Sequence, residues 1–157
     1  MLKDITASLV RARRLALLLA PAALLIAQAD HKTAFTGTWK TNMAKSSFGE
    51  VPPHAVTVTQ GPDGTFTVEG LGPNGKPMKW SHPWSGGKEV PVEGLENGTV
   101  ISKVTGRTQD DTIKVNGKIV QTVHSVLSPD GKTVTATTDI TDDQGHHTHH
   151  VEVLEKQ

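Results

Sequence analysis

The sequence predicts an all-β fold, an antiparallel sandwich or barrel of about ten short strands with one short helix near its start. Three observations carry this. Thr is the commonest residue after position 29, 19 of 128, and Val is frequent; both branch at Cβ, which suits a pleated strand and costs rotamer freedom in a helix. Turn signals recur at short spacing: Gly61-Pro62-Asp63-Gly64, Gly72-Pro73-Asn74-Gly75, Ser85-Gly86-Gly87, Glu96-Asn97-Gly98, Val115-Asn116-Gly117, Ser128-Pro129-Asp130-Gly131 and Asp142-Asp143-Gln144-Gly145. Between them the chain alternates with period two, as half-buried strands do.

The first element is not part of that fold. Arg11, Arg13 and Arg14 precede an apolar stretch from Leu15 to Ala27, and Ala27-Gln28-Ala29 is a small-x-small cleavage pattern before Asp30. A basic flank, an apolar region and a cleavage site are the parts of a secretory signal. The apolar run is interrupted by Pro21 and falls short of the ~20 residues a membrane-spanning helix needs. Residues 1–29 are therefore expected to be a cleaved signal peptide. The domain over 30–157 should then act in the periplasm or outside the cell, with no membrane span. The leader holds four of the 16 basic groups and one of the 16 acidic groups, so this domain carries 12 and 15, a net charge of −3. That excludes a basic nucleic-acid binder. The absence of cysteine excludes disulfides, thiolate metal sites and a cysteine nucleophile.

Strands are predicted over 35–41, 55–60, 65–70, 77–81, 88–93, 99–105, 111–115, 118–127, 133–141 and 147–155. The helix is a turn or two around Met43–Phe48, before Pro52-Pro53. The last two hairpins allow a register argument. A three-residue loop at Pro129–Gly131 sets Val126, His124, Thr122 and Val120 opposite Val134, Ala136, Thr138 and Ile140. A four-residue loop at Asp142–Gly145 then sets Ile140, Thr138, Ala136 and Val134 opposite His147, His149, Val151 and Val153. The two hairpins agree on one inward face, and a one-residue slip would move its valines into water. That face also carries Thr122, Thr138, His124 and His149, which a dry core would not tolerate unpaired. A wet or ligand-filled interior would.

Phe35-Thr36-Gly37-Thr38-Trp39-Lys40 opens the domain, followed by Asn42, Ala44-Lys45-Ser46 and Phe48. Gly-x-Trp on a first strand resembles the opening of the calycins, the lipocalins and fatty-acid-binding proteins. The longer string, with Asp130-Gly131-Lys132 and the closing Glu155-Lys156-Gln157, resembles a bacterial family of exported lipocalin-like proteins of uncharacterised function. The match spans roughly Phe35 to Gln157. It implies an up-and-down barrel with a central cavity, in which Gly37 and Trp39 are structural. Two departures stand out. Lipocalins pack an arginine over the tryptophan, but the only arginine of this domain is Arg107, in a predicted loop, which leaves Lys156 as the substitute. Fatty-acid-binding proteins hold a carboxylate with an internal Arg and Tyr. This chain has no Tyr, so fatty-acid binding is not carried over.

The expected function is an exported module holding a small, partly apolar molecule, with Met78, Trp80, Thr122, His124 and Thr138 on the cavity wall. One alternative is metal binding. Residues two apart on a strand share a face, so His147 and His149 point one way, and His124 joins them in the register above. Three imidazoles can hold Zn²⁺ or Cu²⁺. The plainer reading of Asp142–His150 is a solvated hairpin end, and no carboxylate is clearly placed to orient the rings. The other alternative is a ligand-free structural or envelope-interaction protein with a filled barrel. Trp80 and Trp84, flanking Pro83, could stack a planar ligand, but core packing for Trp80 and a rim contact for Trp84 are expected. Asn97-Gly98-Thr99 reads as a turn, and Asp110-Asp111 and Glu93/Glu96 as solvated charge at strand ends. No Gly-x-Ser-x-Gly elbow, phosphate-cradling loop or His-Glu-x-x-His is present, so catalysis is not expected.

Overall fold

The computed structural model describes residues 30–72 and 74–157; the signal expected over 1–29 lies outside them. Ten strands follow in order: β1 (Gly37–Thr41), β2 (Val56–Gln60), β3 (Phe66–Leu71), β4 (Pro77–His82), β5 (Glu89–Pro91), β6 (Gly98–Thr105), β7 (Thr108–Val115), β8 (Lys118–Leu127), β9 (Thr133–Thr141) and β10 (His147–Lys156). All ten match predicted strands, and no bound differs by more than three residues. Asn116 and Gly117 both have positive φ, 51° and 76°, as a two-residue type I′ hairpin requires.

The helix expected near Met43–Phe48 is not formed. Asn42 Oδ1 accepts from the amides of Ala44 and Lys45, and Ser46 Oγ donates to the Asn42 carbonyl. Such short side-chain bonds offer the backbone an alternative to helix. Ser47 then exchanges both backbone bonds with Val151, which ties the segment to β10.

The strands form one antiparallel sheet in the order β4-β3-β2-β1-β10-β9-β8-β7-β6-β5. The first and last strands thus meet in its middle, and its two edges are β4 and β5. A single bridge between Ser81 and Glu93 joins those edges, so the sheet curls into a nearly closed barrel. Gly94 makes this approach feasible. Its φ is +85°, and a Cβ there would lie 2.3 Å from the Lys79 carbonyl oxygen.

Core packing begins at Trp39, 3% exposed, whose Nε1 donates to the Phe35 carbonyl at 2.8 Å. Phe35, Val56, Val68, Leu127, Val134 and Leu154 surround it, and a smaller cluster forms around Val92, Val100 and Ile113. Lys156 Nζ sits 5.2 Å from the Trp39 ring centroid. It takes the place that the resemblance gives to arginine. Gly37 leaves room for this, because a Cβ there would meet the Lys156 stem at 3.1 Å.

The predicted register is corrected on both sides of β9. Val134, Ala136, Thr138 and Ile140 do face inward, but β9 pairs Leu127 with Val134, Ser125 with Ala136 and Val123 with Thr138. On its other edge Thr138 pairs with His150, Ala136 with Glu152 and Val134 with Leu154. Each neighbour is slipped by one residue. The loops explain it. Ser128 Oγ accepts from the amides of Lys132 and Thr133, and Ser128 pairs with Thr133 across a four-residue loop. Asp142 Oδ1 accepts from the amides of Gln144 and His146, and Asp142 pairs with His146 across a three-residue loop.

Candidate functional site

The barrel encloses a cavity of about 220 Å³. Much of its wall is apolar: Phe66, Val68, Met78, Trp80, Val123 and Ala136 are among the lining residues. Two polar groups interrupt that wall.

The first joins β1, the segment before β2, and β10. Glu152 Oε1 lies 3.2 Å from the Thr41 hydroxyl, and Glu152 Oε2 lies 3.9 Å from His150 Nε2. His54 packs edge-on to His150, with ring centroids 5.7 Å apart, and Phe48 covers the His150 ring at 6.0 Å. Burial pushes the Glu152 carboxyl above its ordinary range and the His150 imidazole below its own, since both charged forms lose solvation.

The second group joins β4 and β7. Asp111 accepts from Gln109 Nε2 at 3.1 and 3.2 Å. Burial raises the Asp111 carboxyl and lowers the His82 imidazole. The His82 ring stacks on Phe66 and Trp80 at 5.2 and 6.2 Å, and its Nδ1 donates to the Pro83 carbonyl at 2.8 Å. Two buried atoms on the cavity residues have no hydrogen-bond partner, Gln60 Oε1 and His150 Nδ1. Native interiors leave few such atoms.

Of the residues expected on the wall, Met78, Trp80 and Thr138 line the cavity, Thr138 being 2% exposed. Thr122 and His124 do not. The one-residue slip turns both outward, where His124 Nδ1 lies 2.6 Å from Asp110 Oδ1. The expected metal trio of His124, His147 and His149 does not converge. All three are exposed and each has its own partner: Asp110 for His124, Thr141 for His147 at 3.0 Å, and Asp139 for His149 at 2.9 Å. Among the described residues, the set of three whose ligand atoms all lie within 4.8 Å of one another is His54, His150 and Glu152.

Asp111, expected to be solvated, is buried. Gln109-x-Asp111-x-Ile113 carries the signal that was missed, since polar residues alternate there with an apolar one that must face the core. Gln60 two residues after Val58 is a similar case. The tryptophans of β4 and its following loop do not share a ligand site. Trp80 points inward, while Trp84 stacks on His31 at 5.1 Å, at the rim.

A second cavity of about 470 Å³ adjoins the first and shares Met78, Trp80, Ile113 and Gln121 with it. Val92, Gly94 and Leu95 also line it, with Val115 and Val120 from β7 and β8, so it lies beneath the place where β4 and the segment after β5 meet.

No family model matches the chain, and no curated protein matches it. Solved structures do. A point mutant of the fluorescent protein UnaG aligns with a TM-score of 0.52 at 18% identity, covering 79% of this chain and 96% of that one. The wild-type UnaG structure gives 0.50 at 18% identity, over 78% and 97%. UnaG is a fatty-acid-binding-protein-like barrel. This chain has a calycin-type fold. At this identity the likeness is one of fold.

Proposed function

We propose that this protein is an exported binding module that encloses a small, partly apolar molecule in its barrel. The observation that carries the reading is the interior itself. A cavity of about 220 Å³ has an apolar wall and two buried polar atoms, on Gln60 and His150, with unspent hydrogen-bonding capacity. Its size is below the ~300–1,000 Å³ of sites for drug-sized ligands, so the occupant is compact. Phe66, Met78 and Trp80 pack its apolar body, which gains about 25 cal/mol per Å² buried. Gln60 Oε1 accepts a hydrogen bond from its polar end, and the Thr138 hydroxyl supplies a second polar contact. Entry is through the second cavity, because the β4–β5 edge pair is held by one bridge.

The proposal is of binding without turnover. Among the described residues no cavity hydroxyl is hydrogen-bonded to a histidine, an arrangement that activates serine or threonine nucleophiles. Export rests on the basic flank, apolar run and small-x-small pattern of residues 1–29. The intact mass of protein recovered from a periplasmic extract should then correspond to a chain beginning at Asp30.

The binding test is fluorescence titration with 1-anilinonaphthalene-8-sulfonate. The parent protein should show saturable enhancement that is lost when the cavity is plugged by Ala136→Phe. Enhancement indifferent to Ala136→Phe would place the dye on the outer surface and remove the support for an internal ligand.

A further inference from the structure

One cluster on the cavity wall joins His150, whose free Nδ1 the proposed function counts, to two groups that function does not use, His54 and Glu152. His54 comes from the segment between β1 and β2, and His150 and Glu152 are alternate residues of β10. Their ligand atoms all lie within 4.8 Å of one another. Each side chain is also oriented from behind. His54 Nδ1 is 2.9 Å from the Pro52 carbonyl oxygen. A carbonyl only accepts, so Nδ1 carries the proton and Nε2 keeps a free lone pair. Thr41 Oγ1 holds Glu152 Oε1, leaving Oε2 toward His150. The His150 ring, 4% exposed, is clamped between Phe48 and His54, and its Nδ1 has no partner. Among the described residues Glu152 has no lysine or arginine ion-pair partner; its basic neighbours are the imidazoles of His150 and His54. A buried carboxylate is stabilised by a paired cation or a coordinated metal.

We infer that His54, His150 and Glu152 form an internal binding site for a divalent transition-metal ion, with Zn²⁺ the best chemical match. Two imidazoles and one carboxylate are a three-ligand set that Zn²⁺ takes when its fourth position stays open. Ligand atoms around a tetrahedral ion at 2.0–2.1 Å stand about 3.4 Å apart, so closing from 4.8 Å needs only small side-chain rotations. The Pro52 carbonyl and the Thr41 hydroxyl are the outer partners that metal-ligating histidines and carboxylates require. Because all three ligands line the cavity, the fourth position faces the enclosed space. There it can take water or a donor atom of a bound molecule. The exposed histidines of the β9–β10 hairpin play no part.

The test uses the full chain, stripped with a chelator and titrated calorimetrically with Zn²⁺ alone. The parent should bind one ion per chain. His54→Ala and Glu152→Gln should each weaken binding by more than about 100-fold, beyond the 10–100-fold typical of losing an outer partner. The double change His147→Ala with His149→Ala should leave it intact. Glu152→Gln removes a buried charge at nearly constant volume, so it keeps the test decisive if His54→Ala unfolds. Co²⁺ should give the parent a visible absorption band that Glu152→Gln abolishes. No binding by the parent, or binding that survives Glu152→Gln and vanishes in the His147/His149 double variant, overturns the inference. Dye titration of the Zn²⁺-free protein tests the cavity reading separately, so the two can fail independently.

Discussion

The β1–β10 seam and the β4–β5 seam close the same barrel by different means. At the first, Trp39, Lys40 and Thr41 pair with Lys156, Glu155 and Leu154. Backbone bonds from Asn42 to Val153 and from Gln157 to Thr38 extend the ladder past the end of β1 and past the end of β10. Buried Trp39 and Leu154 pack beneath it, and Lys45 pairs with Glu155 above it at 2.8 Å. At the second, β5 has three residues and pairs only with β6, and the contact with β4 is the two-bond bridge of Ser81 and Glu93 at 2.8 and 2.9 Å. The first and last strands are zipped together in the centre of the sheet, and the weak edge falls between strands adjacent in sequence. Such an edge is where local opening costs least.

The largest effect is expected at the strong seam. Trp39→Ala should cost roughly 3–5 kcal/mol, the range for deleting a buried large aromatic, measured by denaturant melts. Coincident melts of mutant and parent would mean that β1 closes the barrel without its tryptophan.

Next comes the weak seam. Gly94→Val forces a Cβ into the Lys79 carbonyl and into a left-handed φ, at a cost of about 1–3 kcal/mol. Hydrogen exchange at the amides of Ser81 and Glu93 should accelerate while that at Trp39 and Leu154 does not. Acceleration at both seams would show that they open as one unit.

A third test concerns the polar lining near the weak seam. Burial raises the Asp111 carboxyl above its ordinary 3.8. Above pH 3.8 the unfolded chain has released this proton and the native state still holds it. Stability from Asp111 is therefore full below that pH and falls as pH rises through the native value, by at most about 1.4 kcal/mol per pH unit. His82, lowered from 6.5 by burial, acts with the opposite sign. Its stability is present above pH 6.5 and is lost as pH falls through its native value. In melting temperatures between pH 4 and 8, Asp111→Asn should remove the first slope and move the second to lower pH, because the Asp111 charge partly offsets the lowering of the His82 imidazole. Identical profiles for parent and variant would mean that Asp111 is solvated.

The smallest effect returns to the strong seam. Lys156→Met keeps the stem beside Gly37 and removes the charge over Trp39, which should cost about 0.5–1 kcal/mol and diminish with added salt. A larger loss, unaffected by salt, would assign Lys156 a packing role instead.

Much of the fold was legible because its signals are local. Asn116-Gly117 must turn, the Thr and Val runs must extend, and Gly37-x-Trp39 marks the first strand. The Met43–Phe48 segment was not legible. Its geometry depends on Ser47 pairing with Val151, more than a hundred residues away. The cavity wall was legible only in part, for a related reason. Met78 and Trp80 sit on a strand with one apolar face. β8 and β10 have two: Val123, Leu127 and Leu154 on one side, Val126, Val151 and Val153 on the other.

By itself, then, the amino-acid sequence determined the ten strands, the positions of their turns and the inward face of β9. These follow from backbone preferences and period-two patterning within a few residues. Only the tertiary structure decided which faces of β8 and β10 point inward. Loop length there differs by one residue according to whether Ser128 Oγ and Asp142 Oδ1 capture particular amides, and one residue inverts a strand. That inversion sends His124, His147 and His149 into solvent. It brings His150 and Glu152 into the barrel beside His54, a meeting of residues nearly a hundred positions apart that no local pattern encodes.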